Sequence, residues 1–291
     1  MAKSVVEITE CYSESEMRDK KTKVLIVIIC GIIVHMICFS SIADIYFRST
    51  VVHGMMLYSC SLEAPARRVV FIVSDGLRAD NFFEANNSEE GHSPYLRKMS
   101  ENIRLIDDNI KKLVEIIENI FQNDHKTAYF FTSDHGMTSD GHHAEGSKNE
   151  TQVPLVAWGA GIHKPRQNKG AENSSPSSWL LSDIARLDTE SITIAPLLAS
   201  LMGIPIPVNS MGVLPHDFLD VSEHHLSCMM ISNTLQIYAN FRRKSELAGR
   251  GILLQKFPLL DHENALQLMS KVHALKNGGK HNESVRIIYS S

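Results

Sequence analysis

The chain has 291 residues, of which 43% are hydrophobic and 21% charged, so it can bury a real core and is not a disordered polymer. Its formal net charge is only −4, and no overall basic field points to nucleic acid as a partner. The length has room for one large domain or two small ones.

Residues 24–43 form an apolar run without a formal charge, VLIVIICGIIVHMICFSSIA. As a helix, this run is long enough to cross a hydrocarbon core of about 30 Å. Four basic residues precede it, Arg18, Lys20, Lys21 and Lys23. They predict a cytosolic segment at residues 1–23 and a lumenal or outer location for the chain after about Asp44. We interpret residues 24–46 as an uncleaved signal anchor, and the alternative is a signal peptide cleaved near Ala43.

The cysteines and the glycosylation sequons both bear on the part of the chain after the anchor. The five cysteines show no C-x-x-C spacing, which indicates neither a zinc knot nor a dense disulfide framework, and at most Cys60 and Cys228 pair. Four N-x-S/T sequons all fall on the predicted lumenal side, at Asn86, Asn149, Asn173 and Asn282. They are consistent with a glycoprotein.

Three apolar runs predict buried strands that end in turns: RVVFIVSDG at residues 68–76, TAYFFTSDHG at 127–136 and VPLVAWGAG at 153–161. Between the first two, residues 81–100 are polar and predict a loop with a short helix near residues 94–99. From residue 101, isoleucine and leucine recur at three- and four-residue steps. This spacing predicts an amphipathic helix whose apolar face packs on a core.

After the third run, residues 164–179 have the composition of a surface loop. Residues 182–203 predict a helix with Ser191 or Thr193 as a cap, and the chain from residue 222 to the end is helical and amphipathic in pattern. Alternating strands and helices predict an α/β layered domain with a mostly parallel sheet. We place it at residues 64–220, followed by a helical segment at residues 221–291.

Ligand-type side chains follow the first two predicted strands, namely Asp75, the pair Asp134 and His135, and then His142 and His143. Carboxylates and imidazoles are ligands for zinc and similar ions, and the carboxyl ends of parallel strands gather at one edge of a sheet. Taken singly, an Asp-Gly pair is usually a turn and a histidine is usually a surface residue. Asp134 and His135 are more specific, because adjacent polar groups at a buried edge are costly without a partner.

Two segments, VSDGLRAD at residues 73–80 and FTSDHGM at 131–137, resemble the best-marked parts of the alkaline-phosphatase-like superfamily, whose members transfer phosphoryl or sulfuryl groups at a two-metal site. More narrowly, PARRVVFIVSDGLRADNFFE, KTAYFFTSDHGMTSDGHH and SITIAPLLASLMGIPIPVNSMGVLP resemble the lumenal domain of GPI ethanolamine phosphate transferases. DIYFRSTVVHGM, beside the anchor, resembles the member that acts on the first mannose. A nucleotide pyrophosphatase or a sulfatase is the competing enzyme class, but a modified sulfatase cysteine or serine motif is absent.

The resemblance implies an alkaline-phosphatase-like fold and a set of site residues. Asp75, Asp134 and His135 are the implied metal ligands, and His143 fits the family histidine of a G-x-H segment, with His142 as the alternative. Zn²⁺ is the implied cofactor. The implied reaction moves ethanolamine phosphate from phosphatidylethanolamine, through a threonine, to a mannose of the mannosylated GPI precursor. The implied location is the endoplasmic reticulum membrane, with the domain on the lumenal side.

The sequence also departs from the family pattern. It contains neither a PTESRPGH-like segment with the threonine nucleophile nor the later D-x-x-G-H pair of ligands, and the resemblance is interrupted between Ser100 and Glu101 as though a block were removed. A covalent route needs a hydroxyl nucleophile beside the metals. We therefore predict no catalytic nucleophile, one bound ion or fewer, and no rescue of cells that lack the first-mannose transferase. The alternative function is an inactive, membrane-tethered fragment of such an enzyme.

Overall fold

The computed structural model describes residues 2–47, 51–83, 94–168, 175–248, 267, 270–272, 274–275 and 277–290. The chain divides into two compact units, Met1–Val51 and Val52–Ser291. The first unit contains one long helix, α1 (Ala2–Phe47), in which the 25 residues Lys20–Asp44 have the length and apolar composition of a membrane span. The predicted N-terminal apolar helix is therefore confirmed, whereas its insertion in a membrane stays a prediction.

The second unit is built on a three-stranded sheet with the order β1 (Arg68–Ser74), β2 (Thr127–Ser133) and β3 (Leu155–Gly159). β1 and β2 are parallel over their whole length, and β2 and β3 are antiparallel. All three predicted strands are present. The α/β fold class is confirmed, and the sheet is mixed.

The connections explain the two strand directions. A parallel pair needs a crossover, and α3 (Pro94–Ile120) lies in the connection from β1 to β2. Between β2 and β3 the only helix is the single turn α4 (Lys148–Thr151). This connection remains at the carboxyl end of β2, where the amide of Gly136 donates to the Glu150 carbonyl at 2.6 Å. β3 therefore starts where β2 finishes and runs back beside it.

The core lies around the central strand, where all seven residues of β2 are buried. Phe130 is fully buried in a cluster with Leu197 and Leu201 of α5 (Ile194–Leu201) and with Met229 and Met230 of α6 (Glu223–Ala248). Adjacent residues of a strand point to opposite faces. On the opposite face, the Tyr129 hydroxyl donates to Glu118 of α3 at 2.7 Å.

The helix predicted from residue 101 starts at Pro94, so the short helix expected near residues 94–99 is part of α3. Ile103, Ile106 and Ile110 are half-buried, as predicted for the inner face. Leu113 and Ile120 are 39% and 65% exposed, so the prediction that they face a core is wrong. Ile110, Val114 and Ile117 are half-buried, so Leu113 lies at the edge of the packed face rather than beyond its end, and Ile120 is the last residue of the helix.

The prediction of one helix over residues 182–203 is also wrong in its first half. α5 begins at Ile194, after a 3₁₀ turn at Ser191–Thr193. Residues 183–185 instead pair with residues 166–168 in an antiparallel bridge. Backbone hydrogen bonds of 2.8 and 2.9 Å join the two segments. Thr193 does not cap α5, because its hydroxyl donates to the Glu190 carbonyl at 2.7 Å. Polar residues that bond to the nearby backbone favour turns over helix interiors.

The C-terminal part is helical where the structure describes it, in α6 and α7 (His281–Ser290), as predicted. The two helices meet at the buried hydroxyls of Ser227 and Ser284, which are 3.1 Å apart. Cys60 and Cys228 form a disulfide that joins the segment before β1 to α6, which confirms the expected pair. Their sequence separation of 168 residues means that the bond closes a very large loop, which strongly restricts the unfolded chain.

Candidate metal centre

Asp75, Asp134 and His135 meet at the carboxyl end of the parallel pair. Ser74 of β1 lies opposite Ser133 of β2, so the residues that follow the two strands emerge side by side. His135 Nε2 lies 3.6 Å from Asp75 Oδ1 and 3.6 Å from Asp134 Oδ2, and one ligand atom from each residue lies within 4.8 Å of the others. The structure therefore brings together three of the four residues proposed as metal ligands.

Ser133 fastens the two strand ends to each other. Its buried hydroxyl lies 2.9 Å from the Ser74 carbonyl and 2.8 Å from the His135 carbonyl, and it accepts the Leu77 amide at 2.9 Å. The Asp134 amide also donates to the Ser74 carbonyl at 3.2 Å. The relative position of the turns that carry the three side chains is thus set by bonds at the end of the sheet.

Asp134 is held in a defined orientation by backbone donors. One carboxylate oxygen, Oδ1, accepts the amide of His135 at 2.8 Å and the amide of Gly76 at 3.2 Å. Partial desolvation acts to raise the pKa of the Asp134 carboxyl, but the backbone hydrogen bonds together with the attraction of His135 lower the pKa below its ordinary value. The carboxylate is therefore ionised at neutral pH, with Oδ2 turned toward His135.

The ring of His135 is oriented by its own turn. Nδ1 lies 2.7 Å from the Gly136 carbonyl, and a carbonyl can only accept, so Nδ1 carries the proton. In the neutral ring, Nε2 then presents its lone pair to the two carboxylates. A carbonyl bonded to the far nitrogen is the usual arrangement that fixes the tautomer of a metal-binding histidine.

The two later histidines differ in position. The ring of His143 stacks on the ring of His135, with centroids 4.2 Å apart and an interplanar angle of 26°. It lies beside the three converging ligand atoms without being one of them. His142 is exposed, and its backbone amide and carbonyl are bonded to Thr138. His143 is thus the member of the pair that lies against the centre, and its assignment as a ligand stays a prediction.

The turn that carries His135 is braced by α4. A Cβ atom on Gly136 would lie 2.0 Å from the Asn149 carbonyl oxygen, so only glycine fits this close approach. Glu150 is buried, and its carboxylate accepts the amides of Ser147 at 2.7 Å and Glu145 at 3.1 Å. Hydrogen bonds from Ser147 and from these backbone groups lower the pKa of Glu150 to about 2, so its carboxylate is charged over the neutral range.

The donor set suits a divalent cation. Two carboxylate oxygens and an imidazole nitrogen, all of them acceptors, point into one space, and a cation between them satisfies all three. Oxygen and nitrogen donors of this kind are ligands for zinc and related metals. The exposed side-chain fractions are 85% for Asp75, 48% for Asp134 and 29% for His135, so the centre opens to solvent and is accessible to a substrate.

Sequence reasoning missed the residues that support these side chains. Ser133 was missed because its hydroxyl joins two strand ends only in the folded chain. Gly136 was missed because the carbonyl that it lies against comes from a later helix. Glu150, in contrast, could have been identified from the sequence. The spacing of Ser147 and Glu150, S-x-x-E, is that of a capping box, and both side-chain-to-backbone hydrogen bonds of that motif are present.

Comparison with known proteins gives the family. The family model described as Sulfatase matches residues 100–204. The chain is 35% identical over 202 residues to GPI ethanolamine phosphate transferase 1 of Homo sapiens, a match that covers 67% of this chain and 22% of the human protein. The Mus musculus protein of that name is 37% identical with the same coverage. The Saccharomyces cerevisiae protein is 38% identical over 159 residues, covering 54% of this chain and 17% of the yeast protein.

No solved structure matches the chain. The chain spans about a fifth of the length of the curated relatives it matches. The family model's match, residues 100–204, includes most of α3, all of β2 and the DHGM turn of the candidate centre, and the resemblance identified from the sequence is confirmed. The chain is therefore similar, over two thirds of its own length, to part of the GPI ethanolamine phosphate transferases, and it contains a sulfatase-like segment of the alkaline-phosphatase-like superfamily.

Proposed function

We propose that this chain takes part, through its metal centre, in a zinc-dependent ethanolamine phosphate transferase of GPI-anchor assembly; the missing nucleophile segment predicts that the chain by itself does not complete the transfer. Its donor would be phosphatidylethanolamine and its acceptor the first mannose of the mannosylated GPI precursor. The observation that carries the proposal is the convergence of Asp75, Asp134 and His135 at the carboxyl end of β1 and β2. The relatives bear the name of this activity, and the chain corresponds to about a fifth of each of them.

Asp75, Asp134 and His135 would hold the ion, and His143 is the further proposed ligand. A bound zinc ion supplies a Lewis acid that stabilises charge on phosphoryl oxygens. The residues of the chain keep the site ready for this role. Asp134 stays ionised because backbone amides bond to Oδ1, and the Gly136 carbonyl bonded to Nδ1 of His135 directs Nε2 toward the centre.

We place the protein in the endoplasmic reticulum membrane, with residues 1–23 cytosolic, residues 24–46 as the span and the domain at residues 64–220 lumenal, followed by the helical segment at residues 221–291. Two observations support this orientation. Basic residues precede the apolar helix, and the Cys60–Cys228 disulfide requires an oxidising compartment. Of the four sequons, Asn149 and Asn282 are exposed, and Asn86 and Asn173 lie outside the described residues.

A membrane preparation tests this orientation. In intact microsomes, we expect Cys60 and Cys228 to resist alkylation by a maleimide polymer until detergent and a reductant are added, and protease to spare the domain. The Cys60→Ser variant is the control. It cannot form the disulfide, so its Cys228 thiol should react after detergent is added, without a reductant. Alkylation of both cysteines in intact microsomes without reductant would place the domain in the cytosol and refute the orientation.

Metal analysis of the full chain in detergent tests the centre. We expect one zinc ion per chain, and we expect His135→Ala to lower the zinc content because it removes the nitrogen ligand. His142→Ala is the matched control, because this neighbouring histidine contacts Thr138 only through its backbone. An equal loss of zinc in both variants, or two tightly held zinc ions per chain, would contradict the proposed ligand set.

A second candidate is a membrane-tethered protein that binds metal without transferring ethanolamine phosphate. It is favoured by the sequence, which lacks a PTESRPGH-like nucleophile segment, and by the single three-ligand cluster found among the described residues. Expression in cells that lack the first-mannose transferase separates the two. Restored surface display of GPI-anchored proteins assigns transfer to this chain, whereas zinc binding without rescue assigns the tethered metal-binding role.

A further inference from the structure

A cavity of about 660 Å³ lies beside the carboxyl end of β2. Its wall includes Thr132, two residues before Asp134, together with Leu155 and Ala157 of β3 and Ala79 of α2, the short helix Ala79–Phe83. Its volume is in the range of small-molecule sites. We call it the side cavity. Since it shares β2 with the metal centre, a ligand seated in it lies next to the strand that carries two candidate metal ligands.

Among the described residues that form its wall, the charged side chains of the side cavity balance each other. Three basic side chains, Lys164, Arg166 and Arg186, and three acidic side chains, Asp188, Glu190 and Asp217, contribute to its wall, so their formal charges sum to zero. Two guanidinium groups are already paired: Arg186 Nη2 lies 2.8 Å from Asp188 Oδ2, and Arg166 Nη1 lies 3.4 Å from Asp217 Oδ1. A phosphate or carboxylate ligand would have to compete with these carboxylates. Neutral groups that both donate and accept hydrogen bonds face no such competition.

One side of the cavity is aromatic. The rings of Trp179 and Phe83 have centroids 5.0 Å apart, and the Arg186 guanidinium lies 5.9 Å from the Trp179 ring centroid. Arg186 Nε is buried and has no hydrogen-bond partner in the described part of the chain, so it is an unused donor. An aromatic face beside paired charges offers apolar contact to C–H groups and hydrogen bonds to hydroxyls on the same ligand.

We propose that the side cavity binds a neutral, hydroxyl-rich oligosaccharide, with a sugar ring against Trp179 and its hydroxyls on the Arg186–Asp188 pair. This inference rests on the proposed function, for which it supplies a subsite for the sugar acceptor. A negatively charged lipid headgroup is the competing ligand, and the charge balance disfavours it.

The chain contains two tryptophans, which permits a site-specific test. Trp158 stacks on Tyr129 and is not part of the cavity wall. Trp158→Phe therefore leaves Trp179 as the only indole reporter. In a detergent without a sugar headgroup, we expect α-linked mannotriose to change the emission of this variant saturably and inorganic phosphate to leave it unchanged. A response to phosphate with none to mannotriose would overturn the proposal.

Calorimetry on the full chain measures the contribution of each contact. We expect Trp179→Ala to weaken mannotriose binding about tenfold, and Trp179→Phe to retain most of it because an aromatic face remains. Asp188→Asn provides a second variant that keeps the ring and alters the ion pair, and it should also weaken binding. Unchanged affinity in a folded Trp179→Ala protein would refute the subsite.

The zinc content of the same samples distinguishes this proposal from the proposed function. His135→Ala should lose zinc and keep its response to mannotriose, because His135 is not part of the cavity wall. Zinc binding without any mannotriose binding defeats the subsite and leaves the metal centre standing. Mannotriose binding by a chain that never takes up zinc defeats the proposed function and supports the cavity as a sugar site.

Discussion

The two strand ends that supply the candidate ligands are built differently. After β2, the Asp134 carboxylate accepts hydrogen bonds from two backbone amides, and Gly136 lies directly against a backbone carbonyl of α4. The buried carboxylate of Glu150 accepts backbone amides of the turn before α4. After β1, Asp75 is 85% exposed and is followed by Gly76 with φ of +66°. The centre thus combines a braced pair of candidate ligands with one largely exposed carboxylate, whose turn is tied to β2 through the Gly76 and Leu77 amides.

Gly136→Ala tests the braced side most severely. The added methyl would meet the Asn149 carbonyl, which is a backbone group and cannot move aside. We therefore expect the free energy of unfolding to fall by about 3 kcal/mol and most zinc binding to be lost. Thermal unfolding with and without zinc measures both. Gly141→Ala is the control, since it has a φ of +79° and open space around its Cβ position. Similar effects for the two variants would show that α4 does not brace the turn.

Asp134→Asn and Asp75→Asn compare the two sides directly. Each removes one charged oxygen ligand, but Asp134 is preorganised by backbone donors and Asp75 is not. We expect Asp134→Asn to reduce zinc affinity about 100-fold and Asp75→Asn about tenfold. Competition with a chelator of known affinity measures both. The reverse order would mean that the exposed carboxylate is the stronger ligand and that the bracing serves another purpose.

Glu150→Gln tests the electrostatic part of the brace. The pKa of Glu150 is about 2 in the folded protein, below its ordinary value of 4.5, so its contribution to stability is full above pH 4.5 and is lost as the pH falls toward 2. At pH 7 we expect Glu150→Gln to lower the Tm by a few degrees. The difference from the parent should shrink between pH 5 and pH 2. Glu145→Gln, an exposed change in the same loop, should leave the profile unaltered.

Gly76→Ala should have the smallest effect. Its positive φ costs an alanine about 1 kcal/mol, and the nearest atom to the new methyl, at 2.8 Å, is the flexible end of Met137. Combining Gly76→Ala with Met137→Ala removes the contact and leaves the backbone cost. If the double variant regains the lost stability in a denaturant titration, crowding rather than backbone conformation is the reason for the glycine.

The strands and the meeting of Asp75, Asp134 and His135 were predictable because local pattern and chemistry mark them. Apolar β-branched runs ended in acidic turns, and parallel strands bring such turns to one edge. The course of residues 182–190 was not predictable, because their pairing with residues 166–168 depends on a partner from elsewhere in the chain. The exposure of Leu113 and Ile120 was missed because periodicity shows which face of a helix is apolar and not how wide or how long the packed part of that face is.

By itself, the sequence determined the apolar N-terminal helix, the α/β class, the resemblance to a family and the choice of candidate ligands, since composition, periodicity and motif are local properties of the chain. Only the tertiary structure decided that β3 returns antiparallel, that His143 lies against His135 while His142 does not, and that a charge-balanced cavity stands next to β2. These features depend on distances between residues far apart in the chain, and packing sets those distances.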